Sequence, residues 1–254
     1  FPAVCTGSHS GNFDTLNFGQ MDFEHTPPTG YKAWNTSNLP TPTIKKPSEH
    51  FNTVLYTGDG TDDRSITGVG FQPDFTWLKG RNQAEWNQMY DAIRGANKAI
   101  YPNSTIAEES LSDTFDSFDS DGFTVGYNSS YSSVFGNKSS TTYVAWNWKA
   151  GGSGSSNSDG SVTVTTSANT TAGFSMIYHA SEGYFGGTYG HGLGKKPALV
   201  ITRDVDNVNN FYVWHQSYSN PTYNYMLLNT SGAIATSSAN EYNPTSTLVM
   251  TDQG

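Results

Sequence analysis

Two stretches of this 254-residue chain carry the same ordered series of landmarks, and that recurrence limits the fold more than any other feature. The first runs Phe51, Tyr56-Thr57-Gly58, Ile66-Thr67-Gly68-Val69-Gly70-Phe71-Gln72-Pro73 and Arg81. The second runs Phe174, Tyr178, Tyr189-Gly190-His191-Gly192-Leu193-Gly194-Lys195-Lys196-Pro197 and Arg203. Their separation is nearly constant (178 − 56 = 122, 197 − 73 = 124, 203 − 81 = 122). Each copy reads as strand, Gly-rich hairpin, strand, Gly-rich turn closed by Pro, strand and Arg. Looser matches follow, with Trp86 and Tyr90 against Trp214 and Tyr218, and Asp119-Ser120-Asp121-Gly122 against Thr251-Asp252-Gln253-Gly254. Two strands follow Gly122 in the first copy and have no counterpart in the second, so the second sheet is expected to have an open edge. The same mismatch reads as a piece of a longer chain.

The segments between landmarks alternate as strands do. Thr141–Trp148 places Val144, Trp146 and Trp148 on one face, and Gly122–Tyr127, Phe75–Lys79, Ala198–Thr202 and Phe211–Trp214 are similarly β-branched and aromatic. Gln83–Ile93 reads as a loop or strand, with room for a short helical turn. The expected class is all-β, with tandem antiparallel β-sandwich (jelly-roll-like) domains. Residues 25–48 are proline-spaced and read as a stiff connector. Residues 151–161 are Gly/Ser-rich and read as a flexible one, which places the two sandwich repeats at 49–150 and 162–254. Trp77, Trp146, Trp148 and Trp214 are expected in the cores.

Charge is scarce, at 14% of residues, and the formal net charge is −9. That balance disfavours phosphate backbones and anionic membrane surfaces as partners. No apolar run is long enough to span a bilayer as a helix. A single cysteine, Cys5, leaves no internal disulfide framework.

Acidic residues cluster at Asp59, Asp62 and Asp63, at Asp116, Asp119 and Asp121, and at Asp204 and Asp206. Of these, Asp116, Asp119 and Asp121 come nearest to the spacing of a Ca2+ loop, though without its closing Glu. The competing reading is turn chemistry, in which Asp side chains bond their own backbone. No other cofactor is expected. Tyr127, Tyr131, Tyr184, Phe185, Tyr218 and Tyr223 lie in polar, Gly- and Ser-rich stretches and are candidates for stacking on sugar rings, for packing between subunits or for plain surface decoration. Catalysis finds no paired groups. Glu108 and Glu109 are adjacent and point to opposite faces of a strand, and His191 reads as a turn residue. The chain is therefore not expected to be an enzyme, and a polysaccharide depolymerase ranks last among the alternatives.

Two resemblances add to this. Phe1-Pro2-Ala3-Val4, Leu16-Asn17-Phe18-Gly19-Gln20, Phe23 and Pro27-Pro28-Thr29-Gly30-Tyr31 resemble the closing part of SPRY domains in phage proteins, although Met21-Asp22 lacks the usual Pro before the aromatic. Residues 1–24 would then be the last strands of a SPRY-like sandwich. Asp121–Thr124, Tyr143–Gly152, Asn169–Ser175 and Gly190-His191-Gly192-Leu193-Gly194 with Pro197 resemble a repeated β-domain of tail-fibre-like phage proteins of marine and cyanobacterial type. The resemblance implies a structural and adhesive part of a virion appendage, extracellular and host-attaching. Its implied partners are further copies of itself as a homotrimer, other virion proteins and a host glycan or receptor. A bacterial adhesin with glycan- or calcium-dependent binding is the alternative.

Overall fold

The computed structural model describes residues 26, 28–32, 38–131, 136–180, 187–237 and 244–251. Phe1–Lys45 and Lys46–Gly254 are two compact units. The SPRY-like strands expected at 1–24 lie outside the described residues. In the first unit, the Tyr31 N–H donates to the Pro28 carbonyl at 3.0 Å, closing a turn around Gly30 at φ 90°. That positive φ is why a glycine suits the position.

The second unit opens with a 3-10 turn, Pro47–Glu49, and then alternates strands with tight turns. Its first nine strands are β1 (Phe51–Thr57), β2 (Arg64–Thr67), β3 (Phe75–Gly80), β4 (Gln88–Asp91), β5 (Gly95–Ile100), β6 (Glu109–Ser110), β7 (Phe115–Asp119), β8 (Gly122–Val125) and β9 (Thr142–Trp148). Gln83–Ile93 thus resolves into a loop and β4. A six-stranded sheet, β1-β9-β3-β4-β5-β6, faces a three-stranded one, β2-β8-β7. Between them lie Ile66, Phe71, Leu78, Tyr90, Phe115, Phe123 and Tyr143, all buried. The rings of Tyr90, Phe115 and Phe123 stack in series, with centroids 4.5 and 5.1 Å apart. Each such ring contributes roughly 1.5–3 kcal/mol through burial. The fold class is all-β, as the sequence leads one to expect.

The remaining strands are β10 (Ser155–Asn157), β11 (Val164–Asn169), β12 (Phe174–Tyr178), β13 (Gly187–Gly190), β14 (Leu199–Thr202), β15 (Tyr212–His215), β16 (Asn224–Leu227), β17 (Ala235–Thr236) and β18 (Leu248–Thr251). The Gly/Ser stretch read as a flexible connector is instead tied down. Its residues supply β10, which pairs with β11, and the Gly151 N–H donates to Ser167 Oγ at 2.8 Å. Small side chains let this stretch lie close to its neighbours. Lys46–Gly254 is accordingly one unit, with no break at 151–161.

The strand order β3-β4-β5-β6 recurs as β14-β15-β16-β17. Pairing register recurs with it. Phe75↔Asp91, Thr76↔Tyr90, Trp77↔Met89 and Leu78↔Gln88 become Leu199↔His215, Val200↔Trp214, Ile201↔Val213 and Thr202↔Tyr212, with both partners displaced equally (199 − 75 = 124, 215 − 91 = 124). Lys98↔Ser110 and Ala99↔Glu109 become Asn224↔Thr236 and Tyr225↔Ala235 (224 − 98 = 126, 236 − 110 = 126). Trp214 therefore takes the place of Tyr90, and both are fully buried. The landmark pairing of Trp214 with Trp86 is four positions out.

Tyr56 and Tyr178 do not correspond in direction. Tyr56 points inward, stacked on Tyr143 at 5.0 Å. In β12 it is Ile177 that packs on the small core of Val162, Val164 and Tyr189, and Phe174 that packs outward on Phe75 and Trp148. Strand alternation places Tyr178 with Phe174, and His179, stacked on Tyr189 at 5.1 Å, takes the inward place.

Asn137 is fully buried and knits three segments of the first sheet pair. Its amide donates to Asp59 Oδ1 at 2.7 Å and to the Thr61 carbonyl at 2.8 Å, while its Oδ1 accepts from the Asp59 N–H and from Arg64. Asn137→Ala would strand those partners, and chemical denaturation is expected to show a loss of about 2–4 kcal/mol. A change under 1 kcal/mol would mean that the network carries little.

Candidate functional site

The outer face of the six-stranded sheet is the first place where the structure leaves large apolar groups open. Inward, β9 presents Tyr143, Ala145 and Asn147 to the core. Outward, it presents Val144, Trp146 and Trp148. β1 adds Phe51, 40% exposed, and Leu55, 59% exposed, while β3 adds half-buried Phe75 and Trp77. The rings touch across strands. Phe51 lies 4.8 Å from Trp148, Phe75 5.3 Å from Trp148, and Trp77 6.0 Å from Trp146 in an edge contact. Trp214 is in the core as expected, but Trp77, Trp146 and Trp148 are not. They form a tilted aromatic row with Phe174 closing one end. Such a row can stack on flat apolar faces, including those of sugar rings.

The second place is acidic. Asp62, Asp63 and Asp116 each bring a carboxylate oxygen within 4.8 Å of the others. The β1–β2 loop supplies the first two, and Asp63 takes a left-handed φ of 52° that turns it there. β7 supplies the third, with one oxygen, Oδ2, buried and without a hydrogen-bond partner. Burial, and then the charges of Asp62, Asp113 and Asp63, push the Asp116 carboxyl up to about 6. Oxygen ligands converging from separate segments are what Ca2+ uses, although it also needs several more.

The set Asp116, Asp119 and Asp121 does not converge. Asp119 accepts from Ser117 and Thr124 hydroxyls at 2.7 and 2.8 Å. Asp121 accepts from the Gly68 and Gly70 N–H groups at 3.1 and 2.6 Å, holding the β2–β3 turn. Asp59 is likewise structural: bonds from the Thr61 N–H and hydroxyl, then from Asn137, bring its carboxyl down to about 2. Turn chemistry accounts for these three.

The tyrosine candidates are dispersed. Tyr131 packs on the first core and its hydroxyl accepts from the Ser112 N–H at 3.2 Å. Tyr127 is half-buried just after β8. Tyr218 and Tyr223 both lie in the β15–β16 connection, Tyr218 against the His215 ring at 6.0 Å. Tyr184 and Phe185 lie outside the described residues. Glu108 pairs with Arg94 at 2.8 Å and Lys98 at 3.1 Å, and Glu109 accepts from the Tyr101 hydroxyl at 2.7 Å. His191 is a turn residue: its Nδ1 accepts from the Leu193 N–H, which leaves Nε2 to donate to the Thr245 carbonyl. Sequence reasoning missed Glu85, a carboxyl 7% exposed and raised mainly by burial against the pull of Lys138, Tyr143 and Lys79. It also missed the outer aromatic row, whose signal was the Trp146–Trp148 alternation assigned to the wrong side.

Residues 46–254 match the family described as a domain of unknown function, DUF7483. The chain belongs to this family. No curated protein and no solved structure matches it. Among the described residues, no helix of this DUF7483 chain is long and apolar enough to cross a membrane.

The acidic group makes a pH prediction. Asp116 ordinarily titrates near 3.8 and in the fold near 6. Between those values the unfolded chain releases the proton first, so stability falls as pH rises through the window and is level above it. Asp116→Asn removes that slope. In urea unfolding the variant should gain on the order of 1 kcal/mol over the natural chain at pH 7, after discounting for partial exposure, and nothing at pH 3.5. Equal gains at both pH values would refute the assignment.

Proposed function

We propose that this DUF7483 chain is a structural and adhesive segment of a virion appendage that attaches to a host surface through glycans. The outer aromatic row carries the reading. Phe51 and Leu55 remain exposed beside three half-buried tryptophans, while Asp59, Asp121 and Asn137 are engaged in holding turns. A surface that is apolar, aromatic and fixed by two-sided strand pairing suits weak stacking contacts, and repetition along a fibre multiplies weak contacts into firm attachment. The virion setting rests on the resemblance of the repeat motifs to tail-fibre-like proteins, and so does assembly as a homotrimer. In this reading the chain has no catalytic role, and its location is the virion surface.

Two measurements test it. Immunogold labelling with an antibody to the chain should decorate virion appendages, and label confined to host membranes would overturn the virion setting. Binding of the purified chain to host surface polysaccharide should fall about two- to tenfold in Trp146→Ala and in Phe51→Ala, since a stacked ring is worth roughly 0.5–1.5 kcal/mol. Undiminished binding by both folded variants would remove the aromatic row from the mechanism.

A second reading, a cation-dependent adhesin, draws on Asp62, Asp63 and Asp116. It expects 1 mM Ca2+ to raise the Tm of the natural chain by at least ~2 °C and to leave Asp116→Asn unmoved. A calcium response of equal size in the variant excludes the trio.

A further inference from the structure

We propose that the outer aromatic row takes an anionic polysaccharide, stacking its sugar rings on Trp146 and Trp77 and pairing its carboxylate-type groups with Lys79 and Arg81. With the row taken as a glycan-contact surface, on which this rests, what borders it names the class of glycan. Alternation carries the outward column of β3 from Phe75 through Trp77 to Lys79. Lys79 stands across from Val144, one outward place beyond the Trp77↔Trp146 pair, and so about 7 Å further along the strand. Arg81 follows, exposed, with its N–H donating to the Thr142 carbonyl at 2.7 Å and extending the same ladder. Among the described residues, the side chains of Lys79 and Arg81 make no hydrogen bond and no ion pair. Other cations of the chain are engaged. Arg64, Arg94 and Lys98 each pair with a carboxylate, and Arg203 donates to three carbonyls.

Beyond threonine hydroxyls, the outward residues of β1, β9 and β3 add no polar side chain to Lys79. None of them is Asp or Glu, although the chain has 22 acidic residues against 13 Lys and Arg. The same face continues past β3 to Asp91, whose carboxylate is taken by Arg94 at 2.6 Å. Amides, which suit neutral sugar hydroxyls as both donors and acceptors, are taken up as well. Asn82 donates to the Ser140 carbonyl and accepts from the Thr142 N–H, and Asn52 donates to the Val69 carbonyl. Glu85 is the carboxyl that feels Lys79, yet burial acts on it most, and Lys138 pulls on it more strongly than Lys79 does. A Cβ on Gly80 would run into Glu85 Oε2, and Gly80 is one of the inward places of β3, so this carboxyl lies on the opposite side of the strand from Lys79. Aromatic rings edged by unpaired cations complement a sugar ring that bears a negative group. The net charge of −9 does not forbid this, because salt screens exposed charges beyond ~8 Å at physiological ionic strength and leaves the local cations to dominate.

The probes are polygalacturonate and its fully methyl-esterified form, which share a sugar ring and differ in charge. Affinity electrophoresis of the full chain reads the binding of each at physiological ionic strength. The chain should bind polygalacturonate more tightly than the ester. Lys79→Gln and Arg81→Gln should each weaken polygalacturonate binding about two- to fivefold, the scale of an exposed ion pair. Lys79→Arg keeps the charge and should bind as the natural chain does, which separates loss of charge from loss of folding. Equal binding of both polymers, lost in Trp146→Ala, would overturn the anionic assignment and keep the glycan reading. Polygalacturonate binding that survives both Trp146→Ala and Phe51→Ala would overturn the two together, because charge alone would then hold the polymer. Absence of binding to polygalacturonate overturns the anionic assignment.

Discussion

Everything in the first sheet depends on β9 being hydrogen-bonded along both edges. It pairs with all seven residues of β1 and all six of β3. β1 has no other strand neighbour among the described residues, so the element that opens the unit is held by one that arrives late in the sequence. Closing so long a loop costs entropy before any pairing rewards it, which makes this sheet slow to assemble and cooperative once formed. The buried stack of Tyr90, Phe115 and Phe123 supplies the local apolar contact against which that late strand can settle.

The same strand explains which parts of the structure were legible from sequence. Alternation revealed β9 and the grouping of Val144, Trp146 and Trp148. It could not say which side faced the core, because Tyr143 and Ala145 opposite are apolar as well. When both faces of a strand could be buried, period two fixes the partition and not its direction. The opposing sheet decides, since its Phe123 packs on Tyr56, which stacks on Tyr143, and all three share the core that leaves the tryptophans outside. Trp214 was placed correctly because its strand-mates are only half-buried and it alone fills the second sheet's equivalent of Tyr90.

The acidic residues teach a related lesson. Asp116, Asp119 and Asp121 are close in sequence, but the β7–β8 hairpin sends each carboxylate elsewhere. Asp119 turns to its neighbours in the hairpin and Asp121 to the amides of a distant Gly turn, while Asp116 joins Asp62 and Asp63 from another loop. A ligand set drawn from a loop and a strand some fifty residues apart leaves no spacing signature (116 − 62 = 54). The Gly/Ser stretch failed for the opposite reason. Its composition suits a flexible connector, but small residues also permit close strand contact, and β10 uses them for that.

The repeat in register raises a question of edge protection. Natural sheets blunt a free edge with charge, and the residues around β14 include Lys195, Lys196 and Arg203. Two of these charges are turned to other uses. Arg203 donates to the carbonyls of Ser104, Thr105 and Ile106 and lies over the Phe211 ring, tying the second sheet to a loop of the first. Lys196 lies over the Trp214 ring at 5.8 Å. The strand itself, Leu199-Val200-Ile201-Thr202, carries no charge and no proline. A sequence that spends its nearest cations on internal contacts, and keeps two aliphatic side chains outward, has not been shaped to repel a partner along this edge.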